Sequence, residues 1–436
     1  MTHFSATSLA TSDHPTEPNV LVRLLFAIGM MIIMPMFVLQ LAADPVTLQF
    51  TNSRVLQFGN LLTAVLSFAM IAWSRQAGKT AMSCWPLFVL LLLAYLSSLW
   101  SYDVASTIRG SNTFLIASLL GVAIASRLSP VSCIRLIVRT LSFACLLSII
   151  WVILFPQEGV HQATDAYQFQ HAGLWRGVFS HKQGLGVVAG LTTGLLASYG
   201  SIAFRSPLVR IAAFVCGISC LVGSGSATGL LISIILPAIL YVSCWIGTRP
   251  PATRSGTMTT LMIVIGTAYA LFHVGALDFV MPLLGKSEDL TGRADFWPWV
   301  MSNIRNSGPI LGGGFASGWE TVVAPSMSID NGYIQLLVGF GYLGAAVVLA
   351  MYVRTLLAAI RLVVADRPES VAIRAFPFGV MFIELFLNIT EATFMTKSIH
   401  TVLIAVAICQ IARQDKIQAR VATTKARPAF NSRGPG

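Results

Sequence analysis

Long apolar runs separated by short polar segments fill most of the chain. A run of about 20 apolar residues is as long as a helix that crosses a bilayer, and a helix pairs its backbone groups internally, as lipid requires. The pattern therefore predicts an all-α polytopic integral membrane protein with about 12 transmembrane helices. The runs lie near residues 20–43, 57–73, 84–100, 112–126, 133–154, 183–199, 207–223, 227–246, 257–277, 332–353, 375–389 and 396–412.

The composition supports this class. Hydrophobic residues make up 55% of the 436 residues and charged residues only 10%, whereas a soluble domain has about 25% charged residues. The net charge of +11 would suggest nucleic acid as a partner of a soluble protein. In a membrane protein, the positive-inside rule and anionic headgroups explain it, so we expect the lipid bilayer as a partner and no nucleic acid. The seven cysteines lie in or beside apolar runs, and we interpret them as small apolar side chains with no metal to bind.

The basic residues predict how the chain is oriented. With the N-terminus in the cytoplasm, alternating spans place about 20 of the 28 Lys and Arg residues on the cytoplasmic side. Both termini are then cytoplasmic, with a short tail over 1–19 and a basic tail over 413–436 that we expect to be disordered. Residues 20–412 form the membrane domain. Its longest loop, 278–331, lies on the outer side and is expected to contain short interfacial helices, because it is rich in aromatic residues.

The first block of candidate chemistry is Leu174–Gly186, which reads LWRGVFSHKQGLG. Arg176, His181 and Lys182 cluster where a helix begins, so cations and helix amides together predict an anion site. An interfacial anchor whose basic side chains reach the headgroups is the alternative.

The second block is Leu290–Trp297. Thr291 is a candidate helix cap, Arg293 falls in the first turn, and Pro298 is expected to bend or restart the helix before a turn near 306–309. The alternative is an interfacial helix with a solvated arginine.

The third and fourth blocks flank the start of a long apolar run. Gly312–Glu320 is glycine-rich, which suits either close approach to a ligand or a flexible lid. Asp330 and Asn331 precede the run, and Gly341 and Gly344 lie within it. A carboxylate at this place is able to take a proton from a bound hydroxyl, and a helix cap is the alternative.

Two further features lie outside the blocks. Arg109 and Asp103 flank a short outer loop after Trp100. Glu384 is the one acid deep within an apolar run, with Asn388 a turn later. Such an acid is a functional candidate, with a buried structural hydrogen bond as the alternative.

The four blocks, in this order, resemble the O-antigen ligase and polymerase superfamily of bacterial membrane glycosyltransferases. Gly177-Val-Phe-Ser-His-Lys182 is most similar to the exopolysaccharide-polymerase branch, where an asparagine is typical at the position of Gln183. Thr291-Gly-Arg293 with Trp297 resembles the next family block, and Leu311–Phe315 the third. In the family, the fourth block has His, then Asn, Ser or Gln, nine residues, Gly, two residues and Gly, and Asn331, Gly341 and Gly344 have this spacing here. Asp330 stands at the family's histidine position.

This resemblance implies an inverting, metal-independent transfer without a cofactor, at the periplasmic face of the bacterial inner membrane. The donor is an undecaprenyl-diphosphate-linked glycan and the acceptor is a second glycan; a chain-length-determining protein is a candidate partner. The candidate substrate-binding residues are Arg176, Lys182, Arg293, Asn331 and Arg109. The candidate catalytic residues are Asp330, Glu320 and His181.

Three functions remain open on the sequence. The first is polymerisation of lipid-linked repeat units into exopolysaccharide or O-antigen. The second is ligation of the glycan to lipid A core, which differs in its acceptor. The third is a polysaccharide transporter or flippase, for which polar and charged residues near mid-span, broken helices and repeated halves are expected. Outside the ends of its apolar runs, this chain has only Glu384 as such a charge.

The orientation predicts the outcome of reporter fusions. Alkaline phosphatase, which is active only outside the cytoplasm, should be active when fused near residues 165 and 300 and inactive near 205 and 365. A cytoplasmic signal at 300 would contradict the predicted orientation and move the candidate site to the wrong side of the membrane.

Overall fold

The computed structural model describes residues 19–34, 54–74, 84–165, 169–271, 293–307, 309–317, 329–367 and 369–426. These ranges are mainly helical and contain no strand beyond an isolated bridge between Val160 and Trp175. The helices are α1 Val20–Ile33, α2 Arg54–Ala72, α3 Trp85–Leu96, α4 Val104–Arg127, α5 Pro130–Leu154, α6 Pro156–Gly159, α7 Lys182–Ala203, α8 Pro207–Ser224, α9 Ala227–Gly247, α10 Pro251–Leu271, α11 Arg293–Ser307, α12 Gly332–Val364, α13 Val371–Leu387 and α14 Ile399–Ala426.

Each of the twelve apolar runs overlaps one helix, and α6 and α11 lie between runs. Six helices, α4, α5, α7, α8, α9 and α12, are long and apolar enough to cross a membrane by length and composition. Shorter apolar stretches lie in α1, α2, α3 and α14. The all-α membrane class agrees with these helices, whereas the number of twelve spans stays a prediction.

Two sequence boundaries differ from the helix boundaries. Helix α14 does not stop near residue 412 but continues to Ala426, into the segment 413–436 that we expected to be a disordered tail. Helix α11 begins at Arg293 and ends at Ser307, as the turn signal indicates, but it runs through Pro298 instead of restarting there. Pro298 is the sixth residue of α11, so it has no N–H to donate to the carbonyl oxygen of Ala294, and the helix continues with one hydrogen bond fewer.

Helices α12 and α13 are antiparallel, since Tyr333 near the start of α12 binds the Leu385 carbonyl oxygen and Arg374 near the start of α13 binds that of Leu362, and this pair gives the bundle two ends. At one end, the start of α12, which Asn331 precedes, meets the turn at Asn388 that follows α13. There the Gly332 N–H donates to the Asn388 carbonyl oxygen. We call it the Asn331 end. At the other, Arg374 near the start of α13 meets the last turn of α12, and we call it the Arg374 end.

Arginines hold the Arg374 end together by binding the last carbonyl oxygens of neighbouring helices. A helix leaves its last four carbonyl oxygens without intrahelical partners, and the negative end of its dipole attracts cations. The contacts join Arg135 to Ile202, Arg139 to Ala203, Arg413 to Ala125 and Leu128, and Arg374 to Leu362, Val363 and Ala365. These arginines were predicted to be cytoplasmic, and the structure gives them a structural function at one end of the bundle.

The third glycine block fills a break in α12. Gly341 has φ of 62° and ψ of −171°, so the α12 backbone is not helical there. The 309–314 segment binds the backbone around the break: the N–H groups of Gly313 and Gly314 donate to the carbonyl oxygens of Val338 and Gly339, and Tyr342 N–H donates to that of Pro309. The block is therefore docked into the bundle, which excludes a flexible lid for residues 309–317.

The break predicts a steep cost for a side chain at Gly341. A Cβ there would collide with the Ile310 carbonyl, and φ and ψ lie in a region that is almost restricted to glycine. We expect Gly341→Ala to lower the free energy of unfolding by about 1–3 kcal/mol or more. Thermal unfolding of the detergent-solubilised protein measures this.

Gly256→Ala is the matched control. Gly256 lies within α10, and a Cβ built there has no neighbour within 4 Å. Alanine should stabilise this helix by about 0.5–1 kcal/mol. An unchanged or raised melting temperature for Gly341→Ala would show that the glycine is not required for the break.

Candidate functional site

Asn331 caps α12 and is fully engaged in the fold. Its Oδ1 accepts hydrogen bonds from the N–H groups of Tyr333 at 3.0 Å and Ile334 at 3.1 Å, and its Nδ2 donates to the Ile389 carbonyl oxygen at 3.1 Å. Its exposed fraction is 7%. The capping alternative therefore describes Asn331 better than the substrate-binding role that we predicted for it.

Asp330 lies just before this cap with a φ of 38°. The left-handed region costs an L-residue roughly 1–2 kcal/mol, although Asp and Asn tolerate it best. The residue is partly exposed. A carboxylate held in a strained conformation at the mouth of a long helix agrees with the functional reading of this position.

The second block contacts Ile329, the residue directly before Asp330. The indole Nε1 of Trp297 donates to the Ile329 carbonyl oxygen at 3.1 Å, and Val300 and Ile304 of α11 form an apolar cluster with Ile329 and Val338. Arg293 is the first residue of α11, but its side chain lies outside the described part of the chain. Thr291 and Glu320 lie outside it altogether, so their predicted roles stay predictions.

The third block joins the fourth block to the turn between α3 and α4. Trp100 Nε1 donates to the Leu311 carbonyl oxygen at 2.9 Å, and Tyr102 N–H donates to that of Gly313 at 2.8 Å. Arg109 lies close by on α4, since a Cβ on Gly110 would collide with Ala316. Its Nη2 donates to the Ser106 hydroxyl at 2.8 Å, and the rest of the side chain is exposed at the Asn331 end.

The histidine of the first block forms a cluster with two histidines of the preceding loop. The sequence did not predict this cluster as a whole. His161, His171 and His181 have ring centroids 5.2–5.7 Å apart. Only His181 was singled out from the sequence. The three histidines stand ten residues apart, and this spacing could have drawn attention to them as a group. Spacing alone does not show that the loop folds back and brings the rings together.

His161 is locked in place by both of its ring nitrogens. Its Nε2 accepts the Lys182 N–H at 3.2 Å, so in the neutral ring Nδ1 carries the proton and donates it to Asp165 Oδ2, also at 3.2 Å. The side chain is 1% exposed, and burial is the main cause that lowers its pKa. His161 therefore attaches the first residue of α7 to the loop before it.

His181 caps α7 through Nδ1, which accepts the Gln183 N–H at 3.1 Å. Burial, followed by the electrostatic effect of His161, His171, Lys182 and Arg176, lowers the pKa of His181 to about 4. The neutral ring then carries its proton on Nε2, as assigned from this hydrogen bond. In this state His181 donates a hydrogen bond from Nε2, which suits an anion and does not suit the general base that we predicted.

Arg176 is bound by the protein itself. Its Nε donates to the Glu158 carbonyl oxygen at 2.6 Å, its Nη2 to that of Gln157 at 3.3 Å, and its Nη1 to Asp165 Oδ2 at 3.3 Å. Three of its five N–H groups are therefore used within the loop. Arg176 orders the histidine cluster, and Lys182, whose charge lowers the pKa of His171 and His181, brings a second cation to it.

One turn connects the histidine cluster to the fourth block. Trp175 N–H donates to the Gly223 carbonyl oxygen at 2.8 Å, and Gly186 lies so close to Ser226 that a Cβ would collide with it. Two residues further on, the Thr228 hydroxyl donates to Glu391 Oε1 at 3.4 Å. Gly332 N–H donates to the Glu391 carbonyl oxygen at 3.0 Å, which completes the connection.

Among the described residues, no three His, Cys, Asp or Glu side chains are arranged to hold a metal ion. In the histidine cluster, hydrogen bonds already use both ring nitrogens of His161 and one of His181. The arrangement suits binding of an anion through N–H donors and cations. No model of a protein family and no curated protein sequence matches this chain.

The low pKa of His181 predicts a pH-dependent stability. A histidine in the unfolded chain has a pKa near 6.5, so below about pH 6.5 the unfolded state binds a proton that the folded state does not. The contribution of a neutral His181 to the free energy of unfolding is therefore fully present at neutral pH and is lost as the pH falls from about 6.5 towards about 4. We expect His181→Asn, which keeps a cap but cannot titrate, to weaken this dependence.

Thermal unfolding at pH 7.5 and pH 5 tests the sign. The melting temperature of the wild type should decrease more between pH 7.5 and pH 5 than that of His181→Asn does. Equal losses would show that His181 is not held neutral by the fold.

Proposed function

We propose that the chain is a membrane glycosyltransferase that polymerises undecaprenyl-diphosphate-linked repeat units into exopolysaccharide or O-antigen. One observation carries the proposal: the described parts of all four sequence blocks meet at the Asn331 end. The second block packs on Ile329, the third fills the break in α12, and the first connects through Thr228 and Glu391 to Gly332. Blocks far apart in sequence thus surround one region, as the parts of an active site do.

The chemistry of the transfer matches the groups found there. The acceptor hydroxyl attacks the anomeric carbon of the donor from the face opposite the diphosphate, which leaves with the electron pair of the broken bond. Negative charge develops on that leaving group, so fixed cations and N–H donors at its position lower the barrier. Lys182 and His181 are our candidates among the described side chains, together with Arg293 at the start of α11.

Arg176 takes a different role in this proposal from the one that the sequence suggested. Because its N–H groups bind Glu158, Gln157 and Asp165, we assign it to ordering the loop. Asp330 is the candidate base, since a carboxylate there is able to orient the attacking hydroxyl and take its proton. We propose that the Asn331 end faces the periplasm and that the membrane is the bacterial inner membrane.

A transporter would place its charged residues near mid-span. Glu384, the acid within α13, lies in the last turn of that helix at the Asn331 end, beside the proposed site. This position favours chemistry at one end of the bundle, whereas the break in α12 at Gly341 is a feature that a transporter also shows. Ligation to lipid A core uses the same donor chemistry, and the acceptor distinguishes it.

The test is a reconstituted assay with the purified full chain and a defined polyprenyl-diphosphate-linked repeat unit. A ladder of lipid-linked products, in the presence of a chelator, supports the polymerase. Transfer only to added lipid A core would identify a ligase. Movement of the intact donor between leaflets, without a new glycosidic bond, would identify a flippase.

Asp330→Asn tests the base in the same assay. Asparagine tolerates the left-handed conformation and is able to accept hydrogen bonds, but it cannot take a proton. We expect chain growth to fall by about 10²–10⁴-fold at unchanged protein level. Asp330→His should keep part of the activity.

Asp330→Gly is the control for the backbone, since it relieves the strain at φ of 38° while removing the carboxylate. It should be as inactive as Asp330→Asn and at least as stable as the wild type. Full activity of Asp330→Asn would assign the residue to the fold and move the role of base to Glu320.

A further inference from the structure

A carboxyl group and an imidazole from two different helices are buried together beneath the proposed site. Glu384 Oε2 of α13 lies 3.1 Å from His400 Nδ1, one residue into α14. Their exposed fractions are 1% and 4%. Sequence reasoning singled out Glu384 but did not find His400 as its partner.

The other carboxyl oxygen of Glu384, Oε1, is bound by residues of the turn that follows α13, next to the proposed site. Thr393 Oγ1 donates to Glu384 Oε1 at 2.8 Å, and Asn388 Nδ2 donates to the same oxygen at 3.2 Å. Asn388 is itself fixed, because its Oδ1 accepts the N–H groups of Thr393 and Phe394 at 2.9 and 3.0 Å. The pair is therefore held from both sides in one orientation.

The pair lies directly below the cap of α12. Gly332 N–H donates to the Asn388 carbonyl oxygen at 2.8 Å, and a Cβ on Gly332 would collide with the Asn388 side chain. Asp330 is two residues before Gly332. Unlike Glu384 and His400, Thr393 is partly exposed, and its Oγ1 accepts a hydrogen bond from Asn388 Nδ2 at 2.7 Å while it donates to Glu384.

A purely structural link between two helices does not require ionisable groups. Replacing a buried ionic pair by apolar side chains of similar volume is often neutral or stabilising, and an acid within an apolar helix is a functional candidate. Other titratable groups near the pair are Tyr352 of α12, which is close enough to Glu384 to feel its charge, and Glu391 and Lys397 of the turn before α14. Burial lowers the pKa of Lys397 to about 8.

We propose that Glu384 and His400 are a proton-accepting pair that serves the transfer reaction and is reached through the Thr393 hydroxyl. This assignment rests on the proposed function. The acceptor oxygen bonds to the anomeric carbon, the bond to the diphosphate oxygen breaks, and the diphosphate keeps the electron pair. The hydroxyl proton, taken first by Asp330, passes to the Thr393 oxygen while Thr393 gives its own proton to Glu384 Oε1.

An internal acceptor is useful because donor and acceptor glycans cover the outer mouth during the reaction and exclude the water that would otherwise remove the proton. His400 keeps the Glu384 carboxyl oriented through Oε2, so that Oε1 faces Thr393. After the product moves on, the proton returns by the same path to water.

The matched pair Glu384→Asp and Glu384→Gln separates proton transfer from packing in the reconstituted full chain. For a proton acceptor, Asp should keep more activity than Gln, and Gln should lower turnover by about 10²-fold with little change in KM for the donor. For a structural link the order reverses, because Gln keeps the size of Glu, still accepts through Oε1 and is able to donate from Nε2 to His400 Nδ1 in the other ring tautomer, while Asp is too short. An active Gln variant beside a weaker Asp variant overturns the proposal.

Thr393→Val and Thr393→Ser provide a second test at a partly exposed position. Ser keeps the hydroxyl and should be active, whereas Val keeps the shape and should lose turnover about as much as Glu384→Gln. Thr355→Val is the control, since the Thr355 hydroxyl is buried but binds only the Met351 carbonyl oxygen of its own helix. Full activity of Thr393→Val overturns the proposal even where Glu384→Gln fails to fold.

The wild-type chain in the same assay distinguishes failure of the proton-accepting proposal from failure of the proposed function. A wild-type chain that forms no glycosidic bond from any lipid-linked donor would overturn the proposed function, and the proton-accepting role with it. A wild type that polymerises, with Glu384→Gln and Thr393→Val equally active, would overturn the proton-accepting role alone.

Discussion

Backbone polar groups that a helix leaves unpaired need partners wherever water is excluded, and this requirement organises both ends of the bundle. In lipid an unsatisfied N–H or carbonyl oxygen costs several kcal/mol. At the Arg374 end, guanidinium groups meet it by binding the last carbonyl oxygens of α4, α7 and α12. At the Asn331 end, the caps Asn331 and His181 bind the first amides of α12 and α7.

The same requirement explains the glycines that looked like a ligand loop. A break within α12 exposes the backbone groups around Gly341, and the 309–314 segment binds them because glycines let the two backbones approach closely. The third and fourth blocks are thus two halves of one structural feature. Their spacing in the sequence reflects backbone pairing, and the chemistry is left to the side chains around them.

The apolar runs predicted the helices well, since the length and composition of a run are local properties. Helix caps could also be predicted from the sequence, because Asn331 and His181 directly precede their helices. The polar contacts across the fold were not. His400 lies 16 positions after Glu384 and meets it because the turn between α13 and α14 brings the start of one helix to the end of the other. Likewise, Arg176 was assigned to a ligand because a sequence does not show that the carbonyl oxygens of Glu158 and Gln157 already bind it.

The two polar groups at the Asn331 end have complementary electrostatic properties. Around α7, burial lowers the pKa of all three histidines, Asp165 is paired with Arg176, and Lys182 adds positive charge, so an incoming oxyanion meets N–H donors and cations. Around α13, Glu384 offers a proton acceptor whose hydrogen-bonding partners are all donors. A transfer to a hydroxyl creates negative charge on the leaving group and releases a proton at the nucleophile. In the proposed transfer, Glu384 lies below the site and away from the histidine cluster, so the same end of the bundle would stabilise the negative charge of the leaving group and accept the proton of the nucleophile.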